Sequence, residues 1–405
     1  MAVSDRVLIA GGGPAGLITA LALAQRGVEV AVFERFETLQ DDPRAATTHP
    51  ATLEVLASLG LEREIREAGL VAPVFQHWDR VGDELLAEFD HALLADETAF
   101  PYVVQCEQFK TSKIALEHLR RHDGVTVHMG CEVTGIELGD DDVAIRVRDR
   151  DGERVERGRY LVGADGGRSL VRKAAGIEFE GFTWPEQFLV LTTPFDFEAE
   201  RGYSYRSYFA DPNEWCNCFK VAADGPPGLW RTVFPASTEL TEEQLLSDEA
   251  VHARLENFFP NPDGYEIVHR NLYRVHQRVA NRFRKGRVLL VGDAAHINNP
   301  IGGMGLNGGI QDAANLAEKL AAVLSGADER LLDLYDLQRR TLTIEFVQAQ
   351  TIQNKKRLEE RDPEKREANK AELRAIAKDP ERAKAFLMRT SMLAAQRRAN
   401  AMTLD

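Results

Sequence analysis

Three glycines near the start of the chain have the spacing of a nucleotide-binding loop. Gly11, Gly13 and Gly16 follow a short apolar run and open a segment of good helix formers. The first permits a tight turn, the second lets a pyrophosphate approach the backbone, and the third lets the helix pack closely on the strand. Glu34 follows 18 residues after Gly16, where an acid can accept hydrogen bonds from ribose hydroxyls. The pattern predicts a dinucleotide site, but by itself it does not separate NAD from FAD.

Further glycine-containing motifs occur later in the chain. Residues 163–169 read Gly-Ala-Asp-Gly-Gly-Arg-Ser, residues 291–296 read Val-Gly-Asp-Ala-Ala-His, and residues 300–307 read Pro-Ile-Gly-Gly-Met-Gly-Leu-Asn. In this order, and together with the N-terminal glycines, these motifs resemble those of the class A flavoprotein monooxygenases. That family comprises the single-component aromatic hydroxylases typified by para-hydroxybenzoate hydroxylase. The resemblance covers roughly residues 5–345.

The resemblance implies an enzyme that binds FAD and takes electrons from NADH or NADPH as a transient donor. In this family O₂ gives a flavin C4a-hydroperoxide, which hydroxylates a small phenolic or heteroaromatic ring. Two alternatives stay open: a flavin monooxygenase or epoxidase that acts on a non-phenolic substrate, and a noncatalytic binding protein that keeps the fold. The intact Asp293 and the intact stretch 305–307 argue against the noncatalytic alternative, since a scaffold has no need of flavin-facing glycines.

The resemblance also implies roles for individual residues. Asp293 would bind the ribityl chain of FAD, and the backbone of residues 305–307 would lie against the isoalloxazine ring. Arg44 would contact the flavin side of the cofactor, Gln105 the ribityl chain, and Val133 the adenine. The complete predicted cofactor-binding set is Gly11, Gly13, Ala15, Gly16, Glu34, Arg35, Arg44, Gln105, Val133, Asp165, Asp293, Pro300, Gly305, Leu306 and Asn307.

Candidate substrate residues come from a stretch that is rich in aromatic residues and turn signals, between about residues 181 and 275. This stretch predicts a largely antiparallel sheet. Alternate residues of a strand face opposite sides, so about half of any candidate set should face away from the pocket. His49 is the candidate base for a phenol, because an unperturbed imidazole titrates near neutrality, although a structural role is an open alternative. The pocket candidates are Tyr203, Tyr205, Arg206, Tyr208, Cys216, Cys218 and Arg231.

The elements that position these residues follow from the hydrophobic pattern. Residues 6–10 predict a buried strand, residues 14–26 a helix and residues 28–33 a second strand, which together form a βαβ unit. Long helices are predicted at 311–324 and 330–357. The pattern indicates an α/β fold in which a Rossmann-like cofactor domain is split by an inserted, mainly antiparallel β-sheet domain and followed by a helical C-terminal region. The resemblance implies that the first is an FAD-binding domain and the second a substrate domain.

The predicted boundaries divide the chain into three parts. The FAD-binding domain is discontinuous, the substrate domain has two segments, and the tail is helical. Asp362-Pro363 and Asp379-Pro380 each place an N-cap residue before a proline at the first helical position of a tail helix. The expected segments are 1–70, 100–180 and 280–345 for the FAD-binding domain, 71–99 and 181–279 for the substrate domain, and 346–405 for the tail.

Composition limits the protein class. The 405 residues contain 50 Lys plus Arg and 64 Asp plus Glu, which gives a net charge of −14, so a general nucleic-acid binder is not expected. No apolar run approaches the roughly 20 residues that span a bilayer, and four cysteines predict neither a disulfide scaffold nor a metal site. We therefore expect a cytoplasmic protein. Residues 355–398 carry 14 basic and 8 acidic side chains, a local charge of +6 on a tail that we expect to cap the active-site region or mediate a homodimer.

Overall fold

A computed structural model describes residues 5–41 and 45–404. The predicted cofactor residue Arg44 lies outside this range. Within the described residues, the strands are β1 (Val7–Ala10), β2 (Val30–Glu34), β3 (Thr47–Thr48), β4 (Leu70–Ala72), β5 (Val74–Asp79), β6 (Glu84–Asp90), β7 (Val103–Gln105), β8 (Val125–Met129), β9 (Glu132–Leu138), β10 (Val143–Asp149), β11 (Gly152–Gly158), β12 (Tyr160–Gly163), β13 (Phe179–Thr193), β14 (Arg206–Ala210), β15 (Cys216–Val221), β16 (Leu229–Ala236), β17 (His269–Ala280), β18 (Arg284–Lys285), β19 (Val288–Leu290) and β20 (His296–Ile297).

Within the described residues, helices are interspersed among the strands, and from α9 onwards the C-terminal part contains helices and no strand. A π-helical segment, Thr343–Gln348, connects two of them. They are α1 (Pro14–Ala24), α2 (Pro50–Ser58), α3 (Glu62–Ala68), α4 (Gln108–Leu119), α5 (Leu170–Ala174), α6 (Phe197–Arg201), α7 (Glu242–Leu245), α8 (Asp248–Phe258), α9 (Met304–Leu324), α10 (Arg330–Leu342), α11 (Ala349–Leu358), α12 (Pro363–Lys378), α13 (Pro380–Thr390) and α14 (Leu393–Ala401).

A six-stranded sheet holds the N-terminal glycine loop. Its strand order is β18-β19-β12-β1-β2-β8, and it is parallel from β19 to β8. All four residues of β1 are buried, as expected for a strand covered on both faces. Helix α1 packs against α4 and α9. The predicted βαβ unit is therefore confirmed, with β1, α1 and β2 each within two or three residues of the expected bounds.

An eight-stranded sheet forms the second layer of the molecule. Its order is β20-β17-β13-β16-β15-β14-β5-β6, and all of its neighbours are antiparallel except β14 and β5. One face packs on an aromatic cluster that contains Phe197, Tyr203 and Trp230. The opposite face looks towards the glycine-rich segment that precedes α9. The predicted α/β fold with a mainly antiparallel sheet and a helical C-terminal region is thus confirmed.

Two predicted helices differ from the structure. Helix α9 begins at Met304 instead of residue 311, so the glycines of 305–309 form its first turns. The sequence suggests a loop there because glycine is a poor helix former, but close packing overrides this preference. A Cβ on Gly308 would lie 2.9 Å from the imidazole Cε1 of His296, and the Cβ of Gly309 would lie 3.1 Å from Gly292 Cα. The single helix predicted at 330–357 is divided by the π-helical segment into α10 and α11.

The basic tail docks on acidic residues that follow or belong to β5 and β6. Both predicted caps are present, since the carboxylates of Asp362 and Asp379 accept hydrogen bonds from the backbone N–H groups of the following turn. The ion pairs between tail and sheet explain where the opposite charges of the two segments meet. Five of them are Lys370–Asp79 at 2.7 Å, Arg374–Glu84 at 2.6 Å, Lys384–Asp96 at 2.6 Å, Lys384–Glu97 at 2.7 Å and Arg397–Glu97 at 2.7 Å.

No helix in residues 5–41 or 45–404 is long and apolar enough to cross a membrane. The four cysteines, Cys106, Cys131, Cys216 and Cys218, are buried and unbridged. Burial raises the pKa of the Cys106 thiol to about 12, and it raises that of Cys218 well above the ordinary value. These thiols are therefore protonated at neutral pH.

Candidate active site

The N-terminal glycine loop is shaped by close approaches of the backbone. Gly11 has φ +105°, and a Cβ there would lie 2.4 Å from the carbonyl oxygen of Ala164. A Cβ on Gly16 would lie 2.1 Å from Gly11 O, so helix and loop touch directly. Gly13 differs, because a Cβ there would meet no atom within 4 Å. The first and third glycines are thus required by packing, whereas the second faces open space at the N-terminus of α1.

The open space is a crevice of about 460 Å³ that runs along the carboxyl ends of β1 and β2. It begins at the glycine loop, where the first turn of α1 presents unpaired N–H groups that attract phosphate. It ends at the first turn of α9. The predicted cofactor residues that line it are Gly11, Gly13, Ala15, Glu34, Arg35, Val133, Asp165, Asp293, Gly305 and Leu306.

Two acidic residues of the crevice already hold backbone groups. The Glu34 carboxylate accepts hydrogen bonds from Gly12 N at 2.6 Å and Phe36 N at 3.0 Å, so it organises the loop as well as facing the crevice. Asp165 accepts hydrogen bonds from the N–H groups of Leu170 (2.7 Å) and Val171 (3.1 Å) at the start of α5. The Asp165 carboxylate is therefore bound to the start of α5. Asp165 contributes to the crevice by fixing the position of the backbone there.

A second cavity of about 500 Å³ opens from the inner end of the crevice. It lies between the eight-stranded sheet and the segment 297–306. Four residues border both spaces and mark the junction: Gln108, Asp293, Gly305 and Leu306. A planar ring that lay at the junction would therefore face the second cavity while the rest of the cofactor occupied the crevice. We call this second space the substrate cavity.

The substrate cavity has a positive interior. Among the described residues that line it, Arg206, Arg231 and Arg274 oppose the single carboxylate of Asp293. Arg206 is 6% exposed, and burial lowers the pKa of Arg231 to about 10, an effect that Glu107 partly offsets. A pKa of about 10 keeps the Arg231 guanidinium charged at neutral pH. Because the whole chain is acidic, this local concentration of arginines selects for a negative ligand.

His49 does not line either cavity. Its Nε2–H donates a hydrogen bond to Gly302 O (2.7 Å), and its backbone N–H donates to the side-chain oxygen of Asn307 at 2.8 Å. Burial, together with the nearby charge of Arg206, lowers the pKa of His49 to about 3. The imidazole is therefore neutral and holds the segment that leads into α9. Its geometry supports the structural alternative and not the role of a base for the substrate.

Asn307 has the same function in the structure. Its amide donates hydrogen bonds to Thr47 O at 2.8 Å and to Gly303 O at 2.6 Å, and the residue is fully buried. Asn307 thus fixes the segment around Gly303 instead of facing the crevice. Pro300, from the same motif, lines the substrate cavity.

The structure separates two glutamines that precede α4. Gln105 is buried: its side-chain oxygen accepts from the Thr47 hydroxyl at 2.9 Å, and its amide donates to Tyr205 O at 3.3 Å. Gln108 lies three residues further on, at the first position of α4, and borders both cavities. Gln108 is not among the residues predicted from the sequence. The signal that could have indicated it is its place at the start of a helix, since such a position can face the carboxyl ends of parallel strands.

The predicted substrate residues divide between the two faces of the sheet. Arg206, Tyr208, Cys218 and Arg231 border the substrate cavity, although the Cys218 side chain is itself buried in the aromatic cluster on the other face. Tyr203 and Cys216 belong to that cluster, and Tyr205 packs against its edge. The structure therefore does not bring Tyr203, Tyr205 or Cys216 into the cavity. Seven lining residues on β15 and β17 are not among the predicted candidates: Asn217, Phe219, Asn271, Tyr273, Arg274, Val275 and His276.

A buried ionic network supports the junction from behind. The Asp312 carboxylate on α9 accepts hydrogen bonds from Arg339 Nε at 2.6 Å and Gly292 N at 3.1 Å, and it lies 2.7 Å from His296 Nε2. Burial alone would raise the pKa of Asp312, but Arg339 and His296 hold it below the ordinary value. The network fixes the backbone of Gly292, next to Asp293, against the first turns of α9.

These residues fit FAD. The open space at Gly13 and the unpaired N–H groups of α1 suit a pyrophosphate, while the small residues at the start of α9 leave room for a flat ring. The crevice, which meets the substrate cavity at that ring position, defines a flavoprotein of the aromatic hydroxylase class. A family model described as an FAD binding domain matches residues 5–350, and the chain belongs to this family.

Relatives with assigned activities agree with this class. A para-nitrophenol 4-monooxygenase of Pseudomonas sp. (strain WBC-3) is 36% identical over 396 residues, which cover 96% of each chain. A 6-hydroxy-3-succinoylpyridine 3-monooxygenase of Pseudomonas putida is 35% identical over 369 residues, which cover 90% of this chain and 91% of the relative. The crystal structure of a p-nitrophenol 4-monooxygenase from Pseudomonas putida DLL-E4 superposes with a TM-score of 0.91 at 34% identity, over 98% of this chain and 99% of that one. The protein is an FAD-dependent aromatic monooxygenase that uses NAD(P)H.

Proposed function

We propose that the enzyme oxygenates a small, negatively charged phenol or hydroxypyridine at the ring carbon para to the hydroxyl group. The observation that carries the proposal is the arginine-lined cavity that meets the FAD crevice at Gly305 and Leu306. The names of the two relatives point to the same geometry. Position 4 of para-nitrophenol and position 3 of the 6-hydroxypyridine both lie opposite a hydroxyl group.

The cofactor roles that we propose follow the placement of the residues. Gly13 and the N-terminus of α1 would hold the pyrophosphate, Glu34 and Arg35 the ribose end, and Val133 the adenine. Asp293 and Gln108 would hold the ribityl chain, because both lie at the junction of crevice and cavity. Bound FAD supplies the electron transfer and oxygen activation that side chains cannot perform. We also propose that the boundaries predicted from the sequence separate the FAD-binding domain, the substrate domain and the tail.

The residues of the substrate cavity would act on the substrate by charge. Three guanidinium groups favour the ionised form of a phenol, so they lower its pKa without a dedicated base. A phenolate ring is more electron-rich than the neutral phenol and is more easily oxygenated. The apolar wall formed by Val190, Val233 and Tyr273 would exclude water from the ring. His276 also borders the cavity, and burial with the nearby Arg278 and Arg274 lowers its pKa below the usual value, so it is neutral at pH 7.

Purified holoenzyme tests this function directly. Oxidation of NADH and of NADPH would be followed with O₂ and a panel of phenols, aminophenols and hydroxypyridines, and the products identified by mass spectrometry. We expect one anionic phenol or hydroxypyridine to stimulate oxidation and to be converted to a para-oxygenated product. If no aromatic compound gains oxygen, the substrate class is wrong.

A variant at Asp293 tests the cofactor site separately. Asp293→Ala should be purified without flavin, because the replacement removes the carboxylate at the junction. Asp151→Ala is the matched control, since Asp151 is an exposed aspartate in the turn before β11. Unchanged flavin absorption in Asp293→Ala would contradict the assigned role.

The proposal includes three features that rest on the family and the sequence. O₂ is the co-substrate, a homodimer is the expected assembly, and the reduced state of the four buried cysteines fits a cytoplasmic enzyme. Light scattering of the purified holoenzyme measures the assembly, for which we expect twice the chain mass of 45.2 kDa.

A further inference from the structure

A small cavity of about 30 Å³ lies next to the substrate cavity. This volume holds about two water molecules. Arg206, Tyr208 and Gly302 border both spaces, so these residues lie where the two cavities adjoin. The far wall comes from the C-terminal helices and includes Arg357 and Phe386. The tail therefore completes a space that continues the substrate cavity away from the FAD crevice.

The small cavity has two buried cations and no anion. Arg206 forms no ion pair with any described residue; its Nη2 donates to the Tyr208 hydroxyl at 3.1 Å, and its guanidinium carbon lies 5.2 Å from the Phe75 ring centroid. Arg357 is nearly buried, and its nearest carboxylate is the half-exposed Glu372, with 3.5 Å between Nη2 and Oε2. None of the described residues that line the small cavity is Asp or Glu.

The remaining titratable groups add no negative charge. His77 lines the small cavity, and burial with the charges of Arg357 and Arg206 lowers its pKa to about 3. His49 and His91 lie near Arg206 and are neutral for the same reasons, with pKa values of about 3 and about 4. A buried charge without a partner is costly to a protein. Arg206 therefore has no anionic partner among the described residues, and the one partner of Arg357, Glu372, does not line the small cavity. A compact negative group bound in this cavity would compensate the charge of Arg206 and share that of Arg357.

We propose that the small cavity is the subsite for the phenolate oxygen of the substrate, and that Arg206 and Arg357 bind this oxygen and so turn the para carbon of the ring towards Gly305 and Leu306. This inference rests on the proposed function and assigns its regiochemistry to named residues. Arg357 and Phe386 belong to the tail, so the tail is part of the specificity-determining site. In the oxygenation itself, Arg206 and Arg357 bind the substrate and fix the orientation of its ring.

The reaction that this orientation directs is balanced with the expected co-substrates. One oxygen atom of O₂ forms a C–O bond at the para carbon, and the hydrogen of that carbon leaves as a proton. The second oxygen atom leaves as water, NAD(P)H supplies two electrons, and one further proton is taken from solvent. A phenol with a free para position thus yields a para-dihydroxybenzene. If the ring were instead bound with an ortho carbon turned towards Gly305 and Leu306, an ortho product would result.

The first test needs no turnover. Para-nitrophenol absorbs differently as phenol and as phenolate, so its apparent pKa on the holoenzyme is measured by difference spectra without NAD(P)H. We expect binding to lower this pKa by about one unit or more, because two guanidinium groups favour the anion. Arg357→Gln should reduce the shift by about half, and Arg357→Lys, which keeps the charge, should retain most of it. Arg397→Gln is the matched control, since Arg397 is a tail arginine that pairs with Glu97 at the surface.

The second test measures regiochemistry with an ortho-substituted phenol that leaves both the para and the other ortho position free. Wild-type enzyme and Arg397→Gln should give mainly the para product. Arg357→Gln should raise the fraction of ortho product by several-fold, and its thermal unfolding temperature shows whether it is folded. If the folded Arg357→Gln protein keeps the pKa shift and the product ratio of the wild type, the subsite is refuted. If no phenol is oxygenated by any of these proteins while para-nitrophenolate still binds, the proposed function fails and the subsite does not.

Discussion

Replacing Asp312 by asparagine should destabilise the enzyme strongly. The residue is fully buried, and its carboxylate holds Arg339, His296 and the backbone of Gly292 together. The asparagine keeps the shape but removes the charge that Arg339 faces. Arg339 is 3% exposed, so its guanidinium has no water to replace the lost partner. Breaking a buried pair on one side costs about 3–5 kcal/mol.

This free energy corresponds to a measurable change in melting temperature. With about 2.1 cal/mol/K per residue, 405 residues give an unfolding entropy of about 0.85 kcal/mol/K if the chain unfolds as one unit. A loss of about 3–5 kcal/mol then lowers the midpoint by roughly 4–6 °C. Circular dichroism of wild-type and variant holoenzyme at equal concentration and excess FAD measures this difference.

A second variant separates the charge from the packing. Asp312→Asn combined with Arg339→Met removes both charges, and it should recover most of the lost stability, because an uncompensated guanidinium is the main cost. Asp333→Asn is the matched control: Asp333 is an exposed aspartate on α10 that pairs with Arg284, and its change should be within about 1 kcal/mol. A midpoint for Asp312→Asn within 1 °C of wild type, or a double variant that melts below the single one, would refute this account of the network.

Two further perturbations test the loop and the buried histidines. Gly11→Ala should prevent stable folding, because the new Cβ would collide with Ala164 O and alanine is unsuited to the backbone conformation there. Gly13→Ala should fold normally but lose FAD affinity. Equal effects of the two variants on the melting temperature of the apoprotein would contradict this difference. The pKa values of His49 and His91 are lowered to about 3 and about 4 in the folded chain. Between these values and pH 6.5 the unfolded chain therefore binds more protons than the folded chain does. The free energy of unfolding should fall as the pH drops through this window, by up to about 1.4 kcal/mol per pH unit for each histidine. His49→Gln and His91→Asn, which retain the donor atoms, should each make this loss shallower, as measured by urea unfolding at pH 7.0 and 5.0, and an unchanged slope would count against neutral buried histidines.

Sequence reasoning identified the features that depend on neighbouring residues. The caps of the tail helices at Asp362 and Asp379 are set by contacts within a few residues. The glycine loop and the strands on either side of it have a short spacing and an apolar pattern that are visible in the chain, although distant residues pack against them. The motif at 291–296 likewise predicted Asp293, which lines both cavities. The family then followed from the order of these local motifs.

Features that depend on the facing partner were not visible. The pattern of β14 and β15 does not show which face of each strand meets the cavity, so Cys216 could not be separated from Arg206 and Tyr208 in advance. The start of α9 was misplaced because the glycines of 305–309 are suited to packing on Gly292 and His296 and not to an isolated helix. Gln105 is hydrogen-bonded to Thr47 on a neighbouring strand, whereas Gln108 lines the crevice, and this difference depends on the surrounding strands.

By itself, then, the sequence determined a flavin-binding α/β enzyme with an acidic body and a basic tail. Only the tertiary structure decided that the tail docks on β5 and β6. This docking places Arg357 in the same small cavity as Arg206, which lies 151 residues earlier in the chain. The physical reason is the range of the interactions. Turns, caps and hydrophobic periods are encoded over a few residues, whereas the charge inside a cavity is the sum of side chains that distant segments deliver to one place.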